Sequence, residues 1–137
     1  MSEILNIKKA LERRLMSMTP AIDTGFEGVE FDPPVNTMYQ RCQFMSMPPV
    51  DPVFGVGYHR EQLQLQVFIA DIKGQGTGNL LGRAEMLRST FPKGLYLMEG
   101  TTKIFILRTP QIGSVSTVQD RIIIPVIIPV IAEVYQD

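Results

Sequence analysis

Hydrophobic positions recur with two different periods along this chain, and the places where one period gives way to the other mark its elements. Residues 2 to 18 place Ile4, Leu11, Leu15 and Met18 on one arc and Lys8, Lys9, Glu12 and Arg13 mostly on the opposing one, which predicts an amphipathic helix. Ser2 is positioned to cap its first amides and Glu3 suits the positive end of the helix dipole. Thr19-Pro20 ends the helix near Met18, because the residue before a proline avoids the α region.

A period of two follows. Phe26 and Phe31 predict a strand over Thr24 to Phe31, bent where Gly25 and Gly28 interrupt it. After the break at Asp32-Pro33-Pro34, residues Met38 to Met45 alternate as a second strand. Met47 to Gly57 holds Pro48, Pro49, Pro52, Gly55 and Gly57, a density that predicts a long exposed loop. The clearest strand begins at Gln62, with Leu63, Leu65, Val67 and Ile69 on one face and glutamines on the other.

Beyond a glycine-rich turn from Lys73 to Gly78, the spacing of Leu80, Ala84, Leu87 and Phe91 predicts a second core-facing helix, closed by Pro92 and Gly94. Leu95 to Met98 and Thr102 to Arg108 read as a hairpin joined by Glu99-Gly100-Thr101. Thr109 to Gln119 is polar and turn-rich, and a final strand runs from Arg121 towards Tyr135. That strand is apolar on both sides: Ile122, Ile124, Val126 and Ile128 point one way, and Ile123, Ile127 and Ile131 the other. Pro125 and Pro129, four residues apart, remove donors from the same edge, which resists uncontrolled strand addition.

The expected fold is therefore a single α+β domain over residues 1–137, with five to six mainly antiparallel strands and two helices packed on one face. Two helices are too few to cover both faces. The second face must meet water or another subunit.

Charge narrows the partners. Thirteen Lys+Arg against fourteen Asp+Glu give a formal charge of -1, so there is no net positive field for a nucleic-acid backbone or an anionic membrane surface. The longest apolar run, Ile122 to Ala132, carries two prolines and falls well short of the roughly 20 residues of a membrane-spanning helix. No secretory-type leader opens the chain, and the lone Cys42 cannot form an intramolecular disulfide, so synthesis in the cytoplasm and protein partners are the expectation.

Candidate chemistry is sparse. Gly74-Gln75-Gly76-Thr77-Gly78 sits between a strand and a helix, where phosphate-cradling loops occur, but Asn79 stands where a dinucleotide fingerprint needs Gly or Ala, and no Gly-Lys-Ser/Thr follows. A flexible connector is the better reading. His59, the only histidine, has no nucleophile pattern nearby and is expected to be solvated. Cys42, in an alternating strand, is expected to act as a small buried apolar group. Asp120-Arg121 and Glu85-Arg88 read as ordinary surface salt bridges, and no ligand pairs have zinc-binding spacing. The sequence thus predicts an interaction module rather than an enzyme, with no cofactor and no metal.

Several short features carry a resemblance. They are Leu11, Arg14 and Leu15 in the first helix, Val29-Glu30-Phe31-Asp32-Pro33-Pro34 leading to Tyr39, the Gly74 to Gly78 loop followed by Ala84 and Phe91, and Pro125-Val126 near the C-terminus. In this order the chain resembles a phage-protein family similar to the tail terminator (tail completion) proteins of long-tailed bacteriophages, with Phe26-Glu27-Gly28 departing from an aromatic-Glu-Asn pattern. The resemblance implies a virion structural protein at the head-proximal end of the tail, its subunits closing into a ring of six. It implies three partners: other copies of itself, the tail-tube protein, and a head-completion or connector protein. The candidate interaction residues are the loop positions Pro48, Pro49, Val50, Pro52, Phe54, Gly74, Gly76, Gly78, Ile112 and Val115. The alternatives are another head–tail joining or tail-tube protein, or a small ligand-binding α+β domain using the Gly74 to Asn79 loop.

Overall fold

A computed structural model describes residues 3–52, 57–74 and 76–135. Its order is α1 (Glu3–Met16), β1 (Asp23–Gly25), β2 (Tyr39–Val50), β3 (Tyr58–Ile72), α2 (Gly78–Thr90), β4 (Tyr96–Glu99), β5 (Thr102–Ile106), β6 (Gln111–Ile112), β7 (Ser116–Val118) and β8 (Arg121–Tyr135). The sheet runs β1-β2-β3-β8-β5-β4, with β6 and β7 also paired to β8. Every pairing is antiparallel except β1 with β2. The α+β class and the two helices stand as expected; among the described residues the sheet has eight strands where five to six were expected.

The two alternating runs become the centre of the sheet. β3 and β8 pair without interruption from Tyr58 opposite Tyr135 to Ile72 opposite Arg121. Leu63, Leu65, Val67 and Ile69 of β3 join Ile124, Val126, Ile128 and Val130 of β8 in the buried core. On that same face lie Leu11 and Leu15 of α1, joined by Ile7, and Leu80, Ala84 and Leu87 of α2, with Phe91 just beyond its end; apart from Ile7 these belong to the apolar stripes that the spacing foretold. Ser2, the expected cap of α1, lies outside the described residues.

The prolines of β8 explain why its second side is divided. Backbone N–H and C=O of one strand residue point to the same edge. The Pro125 carbonyl accepts from the Gly113 amide at 2.8 Å and the Pro129 carbonyl from the Leu107 amide at 3.0 Å. Both prolines therefore lack donors on the side where β5, β6 and β7 lie, and a continuous ladder cannot form there. β5 stops opposite Val130, β6 covers only Val126 and Ile127, and β7 resumes at Ile123. The stretch expected to be a polar turn region thus contains two short strands. The edge is not a bare one guarded by proline but an occupied one broken at each proline.

Two other expectations change. The first strand stops at Gly25, after which a turn closed by the Val29 amide on the Phe26 carbonyl uses Gly28 at φ +78. Phe31 then folds back so tightly that a Cβ at Gly25 would lie 2.8 Å from its ring. Glycine at 25 is what admits this return. β2 extends through Met47, Pro48 and Pro49 to Val50, where an exposed loop was expected, because the register shifts between Met47 and Val50 and the prolines fall at that irregularity.

Candidate interaction surface

The face of the sheet turned away from the helices is built from the other half of each alternation. It carries Met45 and Met47 on β2, Gln62, Gln64, Gln66 and Phe68 on β3, Ile127, Pro129 and Ile131 on β8, Phe105 on β5, and Tyr96 and Met98 on β4. Glutamines here satisfy one another: Gln43 Nε2 donates to Gln66 Oε1 at 2.8 Å, and Gln66 Nε2 lies 3.4 Å from Gln64 Oε1. Charges on this face are also engaged within the subunit. Arg60 lies 3.8 Å from Glu133, Lys103 sits over the Tyr135 ring at 5.6 Å, and Arg41 over Phe31 at 5.4 Å. What is left to offer a partner is apolar and aromatic surface, the composition of interface cores rather than of a solvated face.

One end of this face is partly roofed. The return of Gly25 to Phe31 encloses, with Tyr39, Arg41, Phe68 and Ile123, a cavity of about 520 Å3. Beyond it the Asp32 to Thr37 segment is pinned by Arg121, which is only 8% exposed. Its guanidinium donates to the carbonyls of Thr37 at 2.6 Å, Val35 at 2.8 Å and Pro34, and lies 5.1 Å from the Tyr39 ring centre. The expected salt bridge with Asp120 is replaced by this backbone clamp, since a planar fork of donors matches converging carbonyls. Arg88 likewise donates to the Pro110 carbonyl at 3.1 Å rather than pairing with Glu85.

The polar groups that might have done chemistry are accounted for structurally. His59 is half-buried, not solvated as expected: residues two apart share a strand face, and Glu61 brings its carboxylate to 2.8 Å from Nε2. Cys42 is 4% exposed, and its thiol is pushed up to about 12, chiefly by burial. It behaves as the buried apolar group expected. Among the described residues no group of three His, Cys, Asp or Glu could hold a metal ion, and no helix is long and apolar enough to cross a membrane.

The sequence from residue 6 to residue 129 matches the profile of the phage tail terminator proteins. This chain belongs to that family. It is accordingly a component of the phage virion, associated with the tail, with a structural role and with other phage tail or head proteins as partners. No curated protein matches the sequence. Four solved chains match the fold; one of them, a protein with no functional name, has a TM-score of 0.79 at 22% identity and aligns over 100% of this chain and 99% of its own.

For this terminator-family chain, the structure distributes the loop positions singled out in the sequence over three places. Pro48, Pro49, Val50 and Pro52 are exposed at the β2 end of the β2–β3 hairpin, while Phe54 lies outside the described residues. Gly74, Gly76 and Gly78 are exposed at the other end of β3. At about 3.3 Å per residue, the 15 residues of β3 separate these groups by roughly 50 Å. Ile112 is half-buried against the core beside β8, and Val115 is exposed nearby. The apolar sheet face lies between these groups. Its signal in the sequence was Ile123, Ile127 and Ile131, hydrophobic positions on the side of β8 that no helix could reach.

Proposed function

We propose that this protein is a ring-forming tail terminator: a ring of six subunits caps the finished tail tube at its head-proximal end and offers its far side to a head-completion or connector protein. The observation that carries the reading is the apolar sheet face with its engaged charges, which two helices on the opposite face leave without cover. A heterologous contact repeated around a closed axis gives every subunit the same neighbours, and the proteins against which the ring docks bury such surface. The candidate loop residues lie at opposite ends of the long strands, Pro48 to Pro52 at one and Gly74 to Gly78 at the other. That separation suits a subunit that touches different proteins above and below. Membership of a family of structural proteins supports the absence of catalysis.

A phage lacking the protein is expected to make overlong tails without heads, seen by negative-stain electron microscopy. Normal tail length with normal head attachment in a clean deletion would remove the assignment. Tails that never start would point instead to a joining or tube component.

A further inference from the structure

The two outer edges of the sheet fit one another, and we infer that the ring closes by parallel pairing of β4 in one subunit with the Phe44–Met47 stretch of β2 in the next copy. The inference rests on the ring reading above and names the contact that makes the ring.

Strand direction comes first. From β2 to β3, β8, β5 and β4 every step is antiparallel, so β4 runs the same way as β2. A neighbour generated by rotation about a ring axis, with its sheet continuing this one, therefore lays its β2 parallel to β4.

The hydrogen-bonding groups come next. The Phe44 amide points outward, to Glu27 Oε2 at 3.2 Å, so the backbone of Ser46, two residues on, points outward as well. On the other edge the Ile106 amide donates to the Leu95 carbonyl, which turns the backbone of Leu95 and Leu97 inward and that of Tyr96 and Met98 outward. Among the described residues nothing meets these outward groups of Ser46, Tyr96 and Met98. In a parallel ladder one residue bonds to the two that flank its opposite number. With Ser46 opposite Leu97, the Tyr96 amide donates to the Phe44 carbonyl, the Ser46 amide to the Tyr96 carbonyl, and the Met98 amide to the Ser46 carbonyl. The ladder ends where β2 runs out of donors, at Phe44, whose amide Glu27 already holds, and at Pro48, which has none. Those two stops confine the ladder to the Phe44–Met47 stretch.

Side chains agree with that register. Ser46 and Leu97 both belong to the helix-covered face, and Met45 and Met47 come to lie beside Tyr96 and Met98 on the open face. These four are 48%, 40%, 47% and 52% exposed in the single subunit. β4, an edge strand that shows Tyr and Met instead of Lys or Pro, is not protected against strand addition.

Paired Met47→Cys and Met98→Cys substitutions test the contact, since directly neighbouring strand positions fall within disulfide reach. Under mild oxidation the double variant should give a covalent ladder that ends at the ring size found by native mass spectrometry. Each single variant should give none, and Cys42 takes no part because it is buried. A second pair, Met45→Cys with Tyr96→Cys, should behave alike. Rings that still halt tail tubes yet yield no ladder with either pair overturn the edge pairing and leave the terminator reading standing. Protein that forms no ring, alone or with tail tubes, and fails to halt their growth overturns both.

Discussion

Ile124→Asp and Leu65→Asp should each abolish the folded subunit. Both side chains are 0% exposed and face the helices from the two central strands, Leu65 opposite Ile128 and Ile124 opposite Ile69. Truncating a buried aliphatic side chain costs about 2–5 kcal/mol through lost transfer energy and the cavity left behind. Here a carboxyl is added as well, among Leu, Ile, Val and Phe side chains that offer it no donor, and its desolvation costs several kcal/mol more. Against roughly 5–15 kcal/mol of total stability, little or nothing remains. Circular dichroism should show no cooperative melt for either variant, whereas Leu81→Asp, at a position of α2 that is 40% exposed, should melt within a few degrees of the parent. A soluble Ile124→Asp protein with an unchanged melting temperature would show that the central strands are not buried as described.

Arg121→Met should cost about 2–3 kcal/mol, a fall of roughly 10 °C in melting temperature. Among the described residues Arg121 has no carboxylate partner. It is held by the carbonyls of Pro34, Val35 and Thr37 and by the Tyr39 ring, and in return fixes the segment between β1 and β2 to the start of β8. Hydrogen bonds to a charged donor contribute about 1.5–3 kcal/mol each, but the carbonyls of an exposed segment regain water when the guanidinium is removed, so the losses do not add in full. Arg121→Lys should recover less than half, because one ammonium cannot serve three converging acceptors as a fork does. Equal melting temperatures for the parent and Arg121→Met would contradict the clamp.

How much of this could be read from the sequence depended on which forces were local. The strand around Leu65 and the helix around Leu80 and Leu87 were legible because a period of 2 or 3.6 reflects burial on one face, and tertiary packing respected it. The strand at Thr24 was overestimated, since Gly25 and Gly28 did not merely bend it but turned it back onto Phe31. β6 and β7 were invisible because they have almost no apolar pattern; they exist because the uninterrupted β8 offers them an edge. The extension of β2 through Pro48 and Pro49 was missed for a related reason: on an outer edge a proline loses no ladder bond. Of the candidate site, the glycine- and proline-rich loops were found by composition, and the two-sided apolarity of β8 pointed to an open face. The matching edges were not legible. They depend on which way each backbone amide points, and that follows only from the observed register.

In the proposed role this protein stops a polymer. A terminator binds the growing end of the tube with one side and presents on the other a surface for which the tube subunit has no match, so elongation ends there. Purified protein added to tail-tube subunits during assembly in vitro, with lengths followed by electron microscopy, measures this directly. Tubes should stop at the length they had when the protein was added, each with a ring at one end, and the effect should saturate at one ring per tube. Tubes that continue to the same length distribution as in its absence would contradict it.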